Sequence, residues 1–335
     1  MDVKTFGVVD GTEIKEIALR SPEGATASII TWGSVLRDLV VPAAGEPQRV
    51  VLGLNSLEDY RKYSPHFGAT PGRFANRIAS GQFRLDGRSY QLPLNEKGKN
   101  TLHGGPQGFG KRPWSIDAVE DDRVTLVLDS PDGDAGFPGH LRASCTYALQ
   151  GATLVVDLTA TSDAPTIVNL AHHSYFNLDG GADVLDHEVM IAASMRTPTD
   201  ADNIPTGEIC AVAGTPFDFR TLRPIRHASG TTYDHNFIVA PLPDGPDQLV
   251  HAATLRSPRN GLAMQVHTNQ PAVQFYDASK LNCPVPGLGG AHYGPHGGAC
   301  FEAQTYPDAP NHRHFPSAVL RPGQTYHQRT EYRFG

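Results

Sequence analysis

Apolar and polar residues alternate with a period of two along much of this chain, a pattern that predicts strands. Between Leu141 and Leu149 the side chains of Leu141, Ala143, Cys145, Tyr147 and Leu149 share one face. After Gln150-Gly151, Leu154, Val156, Leu158 and Ala160 repeat the pattern, opposite Asp157 and Thr159. Two such runs joined by a short glycine-containing turn read as a hairpin with one buried face. Phe83–Leu92 reads as a second hairpin, turning at Asp86-Gly87, a pair that accepts the positive φ of a tight turn. Further strands are expected at Ala27–Val41, Val124–Asp129, His187–Ala193, Leu262–Asp277 and Gln324–Phe334. The amphipathic helices that a parallel α/β sheet places between its strands are missing. The Pro/Gly-rich tracts Pro241–Pro246 and Pro284–Gly298 are short enough to be loops, and no segment repeats. The expectation is an all-β chain with few short helices, folded over 1–335 as a single domain: a large antiparallel sandwich of two packed sheets.

Composition supports this reading and narrows the partners. The 34 glycines and 27 prolines have no repeat period, so they mark turns and exclude a collagen-like fibre. Charged residues are 19% and hydrophobic residues 39%, which excludes a chain too charged to collapse. A net charge of −7 leaves no basic footprint, so nucleic acid is not an expected partner. No apolar run approaches the ~18 residues of a membrane span. The opening MDVKTFGVVDGTEIKEIALR lacks the basic region and apolar core of a secretory leader. Four cysteines, Cys145, Cys210, Cys283 and Cys300, include no C-x-x-C pair and suit reduced thiols in a cytoplasm.

Three segments concentrate groups able to do chemistry. Gly72-Arg73-Phe74-Ala75-Asn76-Arg77-Ile78 and Asn100-Thr101-Leu102-His103-Gly104-Gly105 put donors beside glycines. On its own this stretch reads more simply as a structural turn with arginine ion pairs, and no phosphate-loop pattern is present. Asn169–Leu178 contains His172-His173-Ser174-Tyr175; adjacent residues of a strand face opposite ways, so the two histidines cannot chelate one metal. A lone core histidine is the plainer reading, and the G-x-S-x-G elbow of a hydrolase is absent. In Ala299–Gln304, Glu302 stands among apolar and small residues, either on a solvent face or inside a cavity where burial would raise its pKa toward neutrality. Asp234 in YDHNF and Gln274 in QFY read singly as a turn residue and a strand polar. His312-x-His314 has chelate spacing but no third ligand at motif distance, so no metal site is expected.

Together these segments resemble the aldose 1-epimerase (galactose mutarotase) family. The resemblance rests on GRFANRIASGQFRLDGRSYQL, NTLHGG with Gly108-Phe109 and Trp114, SPDGDAGFPG, NLAHHSYFNL, YDHNF, QPAVQFY and FEAQTYPDAPNHRHFPSAVLRPGQTY, in chain order over nearly the whole length. It implies a large β-sandwich with an open cleft for a monosaccharide, and an activity that interconverts the α and β anomers of a free aldohexose such as galactose or glucose. Glu302 matches the family's general base and His173 its general acid. Asn76, Arg77, His103, Tyr175, Asp234 and Gln274 match sugar-contacting positions, with Arg73 a weaker match. No cofactor is implied, and the protein would act in the cytoplasm as a monomer or homodimer. Three features depart from the family pattern: His172 where Asn is common, Tyr306 where Trp is frequent, and the long stretch Lys280–Gly298. Alternatives are a sugar-phosphate epimerase, which needs a cationic pocket with Arg73 and Arg77 as its candidates, and a non-catalytic carbohydrate-binding protein. A glycosidase or lyase is a third, but it needs a carboxylate pair and only Glu302 has a suitable setting, with Asp234 a poor second.

Overall fold

The computed structural model describes residues 2–242, 245 and 248–335. Positions 243, 244 and 246 of the Pro241–Pro246 tract lie outside them. Among the described residues three larger sheets carry the architecture, and all their strand pairs are antiparallel. The Leu141–Gln150 and Thr153–Ser162 strands form the expected hairpin, Leu149 opposite Leu154 and Gln150 opposite Thr153, near the middle of a nine-stranded sheet. The alternating residues from Leu141 to Ala160 are buried as the pattern requires. Strands Asp2–Val9, Thr12–Arg20, Thr26–Ile30, Val35–Val41 and Gln48–Arg49 make a five-stranded sheet. A second five-stranded sheet runs in the order Cys210–Ala211, Met195–Thr197, Asp234–Ile238, Ala272–Tyr276 and Cys300–Gln304. One apolar cluster joins all three sheets, with Ile17 and Leu36 from the first, Tyr147 and Leu158 from the nine-stranded sheet, and Phe275 and Phe301 from the last. The single α-helix among the described residues, Leu57–Tyr63, starts at Ser56, whose hydroxyl accepts from the Asp59 N–H.

Two expected strands are each divided in the structure. Ala27–Val41 breaks at Thr31–Ser34, where Gly33 has φ 65° and Ser34 φ 47°. Gly33 is required there, because a Cβ would lie 2.4 Å from the Gly110 carbonyl oxygen. Leu262–Asp277 becomes Ala263–Thr268 and Ala272–Tyr276, which belong to different sheets, with Asn269-Gln270-Pro271 as the crossing. Alternation shows which face of a run is covered and not which strand lies alongside, so it cannot show that the chain changes partner. The Asp2–Val9 strand gives no such signal, since it lies at a sheet edge with most of its side chains exposed. Asp86 and Gly87, with φ 48° and 81°, turn the short Gln82–Leu85/Arg88–Gln91 hairpin as expected.

Candidate active site

The site is built on one face of the sheet that ends with Cys300–Gln304. Its register places Asp234, Tyr276 and Cys300 in one cross-strand row and Asn236, Gln274 and Glu302 in the next. Directly opposed residues of an antiparallel pair project to the same side, so these rows form a single polar face. The alternate residues Phe237, Phe275 and Phe301 project the other way into the apolar core. Phe275 is therefore a core residue and does not line the polar face. Half-buried Tyr276 is the aromatic on the polar face, with its ring 6.1 Å from that of Tyr175.

Glu302 is buried in the middle of its row, 2% exposed. The extended segment 169–176 passes beside it, bridged to Ala69 at His173 and to Ala299 at Phe176. This brings His173 Nε2 to 3.6 Å from Glu302 Oε1. Glu302 Oε2, His173 Nδ1, Gln274 Oε1 and Asn236 Oδ1 are all buried without a hydrogen-bond partner. Such a concentration of unsatisfied buried atoms calls for a ligand or a catalytic role. Burial pushes the Glu302 carboxyl well above its ordinary range, the Asp234 charge adds to this, and Arg77 opposes it. Burial also drives the His173 imidazole down to about 4. Both shifts favour neutral forms, so the two groups hold one proton between them.

His172 and His173 diverge as adjacent residues of an extended chain should, although the segment is held by isolated bridges rather than a regular strand. His172 is turned into the core, with Nε2 2.7 Å from Ser174 Oγ and Nδ1 3.3 Å from the Tyr147 hydroxyl. Tyr175 stacks on His173 at 5.2 Å between ring centroids, and its hydroxyl donates to the Pro65 carbonyl. That hydroxyl is committed to the protein, so Tyr175 backs the imidazole.

Arg77 and His103 arrive on neighbouring strands, since Arg77–Ile78 pairs with Thr101–Leu102. Arg77 donates twice to Glu96, at 2.9 and 2.8 Å, and its Nη1 lies 3.8 Å from Asp234 Oδ2. Gln274 Nε2 donates to Asp234 Oδ1 at 2.7 Å. The Asn76 N–H donates to His103 Nδ1 at 3.2 Å, which leaves the proton of a neutral His103 ring on Nε2. Burial and the neighbouring histidines keep His103 well below the ordinary imidazole range. Gly104 closes the turn after it, where a Cβ would sit 1.9 Å from the Gly72 carbonyl oxygen.

Arg73 is not brought to this site. Its guanidinium donates to the carbonyls of Pro138, Gly139 and Ser130 and to Ser130 Oγ, pinning the 130–139 loop. Removing a buried guanidinium that holds several acceptors costs about 2–4 kcal/mol. Arg73→Met is therefore expected to lower the melting temperature and leave KM for sugar unchanged, as thermal unfolding and steady-state kinetics would show. His312 and His314 are turned to Asp308 and to the Gly207 carbonyl, and no group of three or more His, Cys, Asp or Glu among the described residues is arranged to hold a metal ion.

Four residues of the site gave no sufficient signal in the sequence. His66 packs its ring 4.5 Å from His103 and 5.8 Å from His173, and with Lys111 it lines an open cleft of about 650 Å³ beyond them. Asn236 stands two residues after Asp234 and so shares its face, a spacing that was available to be read. Glu96 and Asn203 lie in polar loops where nothing distinguishes them.

The profile of the aldose 1-epimerase family matches residues 15–333, and the chain belongs to that family. It is 40% identical to galactose mutarotase of Bos taurus, over 98% of this chain and 94% of that protein. It is 37% identical to aldose 1-epimerase of Escherichia coli K12, over 97% and 96%. Among solved structures, galactose 1-epimerase from Lactobacillus acidophilus NCFM superposes with a TM-score of 0.85 at 30% identity, covering 100% of this chain and 98% of that one. An aldose epimerase homologue from C. elegans superposes with a TM-score of 0.89 at 29% identity, covering 96% and 98%. No helix among the described residues is long and apolar enough to cross a membrane.

Proposed function

We propose that this protein interconverts the α and β anomers of a free aldohexose, galactose or glucose, with Glu302 as base and His173 as acid. The observation that carries the assignment of roles is the buried Glu302–His173 pair, 3.6 Å apart with one unpartnered polar atom on each member. With the proton on His173, the Glu302 carboxylate takes the proton of the anomeric hydroxyl while the imidazolium gives its proton to the ring oxygen. The C1–O5 bond breaks, the aldehyde forms, and both side chains become neutral, the state that burial favours. Rotation about C1–C2 turns the other carbonyl face toward O5. His173 then recovers its proton from the C5 hydroxyl and Glu302 returns one to the carbonyl oxygen, completing the opposite anomer. Each proton transfer by a positioned group is worth about 10²–10⁴-fold. Asp234 and Gln274 supply acceptors for hydroxyl groups, and Arg77, His103 and Asn76 supply donors. The assignment is tested by polarimetry of freshly dissolved galactose and glucose; rates no faster than spontaneous mutarotation would overturn it.

The sugar-phosphate alternative is weakened, because Arg73 is committed to the 130–139 loop and the Glu96 carboxylate offsets the charge of Arg77, taking two of its donors. We place the protein in the cytoplasm as a monomer or homodimer acting on a monosaccharide, a reading that rests on composition and on the family's soluble chemistry.

The shared proton sets the pH dependence. On the acid side the pair gains a second proton as pH falls through about 4, where His173 titrates, and Glu302 can then no longer act as base. On the alkaline side activity persists until the last proton leaves the pair, well above the ordinary carboxylate range. The catalysed rate, corrected for the spontaneous one, should be flat through pH 6.5 and fall on acidification only toward 4. An acid limb at the ordinary imidazole pKa would show that His173 is solvated.

A further inference from the structure

A strap, residues 198–207, reaches the polar face at Asp234, and its tip carries an amide that the proposed mechanism does not use. The strap leaves the sheet after Thr197 and folds on itself, with Thr199 bridged to Pro205 and Asp200 Oδ1 accepting from the N–H groups of Asp202 and Ile204. At its tip Asn203 adopts φ 60°, a conformation Asn tolerates better than most residues. From there Asn203 Nδ2 donates to Asp234 Oδ2 at 3.3 Å. Asp202 pairs with Lys99 at 2.7 Å and Lys97 at 3.6 Å. At the far end His314 Nε2 lies 2.7 Å from the Gly207 carbonyl oxygen. Lys97 and Lys99 follow directly on Glu96, the acceptor of both short Arg77 bonds. One turn thus grips Arg77 with its inward carboxylate and the strap with its outward ammonium groups.

We propose that Asn203 is a positioning residue for sugar binding, aligning the Asp234 carboxylate from the strap, and that the Asp202 ion pairs are the latch that keeps it there. The proposal rests on the reading of the site as an aldose site. The Asp234 side chain is 28% exposed, so the sheet alone does not fix its orientation. Gln274 holds one oxygen from the floor, Arg77 at 3.8 Å is beyond hydrogen-bond reach, and Asn203 is the donor to the second oxygen. A carboxylate that must meet sugar hydroxyls gains from being held in one orientation before the ligand arrives. The Lys97 and Lys99 side chains are 67% and 61% exposed, and pairs so exposed contribute little to folding. Their effect should appear in substrate affinity, and salt should screen it.

The test measures kcat, KM for galactose and thermal unfolding for the wild-type protein, Asn203→Ala, Asn203→Gln and Asp202→Asn, at low and high salt. Asn203→Ala should raise KM about tenfold, the loss of one hydrogen bond to a charged group, with kcat and melting temperature little changed. Asn203→Gln should recover part of the affinity. Asp202→Asn should raise KM a few-fold at low salt and remove the rise in KM that salt causes in the wild type. Unmoved KM in Asn203→Ala, or in Asp202→Asn if the first variant does not fold, would overturn the proposal while wild-type mutarotation stands. A KM rise matched by a fall in melting temperature and in kcat would also overturn it, since that is general loosening. A wild-type protein without mutarotase activity would instead overturn the aldose reading itself.

Discussion

Glu302→Gln is expected to lower kcat by about 10²–10⁴-fold, the range for loss of a general base, with KM nearly unchanged. The amide keeps the volume of the carboxyl group, and the cross-strand partner Gln274 already shows that an amide fits on this face. What the amide cannot do is take the anomeric proton. A loss confined to kcat identifies an interaction made in the transition state and not in the bound sugar. Thermal unfolding should show no loss of stability, because replacing a buried carboxyl group by a neutral amide removes a desolvation cost. Stopped polarimetry on the folded variant checks this, and a wild-type rate would remove Glu302 from the chemistry.

The second large effect separates neighbours. His173→Asn should cost about 10²-fold or more in turnover, as expected for a lost proton donor, with little effect on stability. His172→Asn should show the reverse pattern. Its ring bonds Ser174 and Tyr147 and packs near Tyr332, all in the core. Shortening it breaks two buried hydrogen bonds and costs about 1–3 kcal/mol of stability, while turnover changes a few-fold at most. Kinetics and unfolding measured on both variants give a crossed result if the two rings have the surroundings described here. If His172→Asn were the variant that lost turnover, the acid would have to be sought at His172 or His103.

Most of the strands that bury one face were legible, because alternation reports which face is covered. Leu141–Ala160 reads as a hairpin with one buried face for that reason. The pattern cannot report which strand lies alongside, so the division of Leu262–Asp277 between two sheets was hidden, although that division is what carries Gln274 onto the polar face. Gln274 reads singly as an ordinary strand polar, whereas Glu302 stood out among apolar and small residues. His66, Glu96 and Asn203 did not, since a polar residue in a loop looks alike whether it faces solvent or a cleft. Arg73 and Arg77 sit in one turn with similar neighbours in the sequence, yet one grips a loop and the other lies near Asp234. Only the three-dimensional course of that turn distinguishes them.

The sheet that carries Glu302 has its chemistry on one side and the core on the other, and the two sets of side chains are interleaved residue by residue. A slip of the Cys300–Gln304 strand by a single residue would push Glu302 and Gln304 among the phenylalanines and expose Phe301. There Glu302 would lose the neighbouring His173 and Arg77 and lie wholly among apolar side chains, a cost that disfavours the slipped arrangement. The residues proposed to carry the reaction would thus also weigh against errors of register, which lose stability before they can become inactive enzyme.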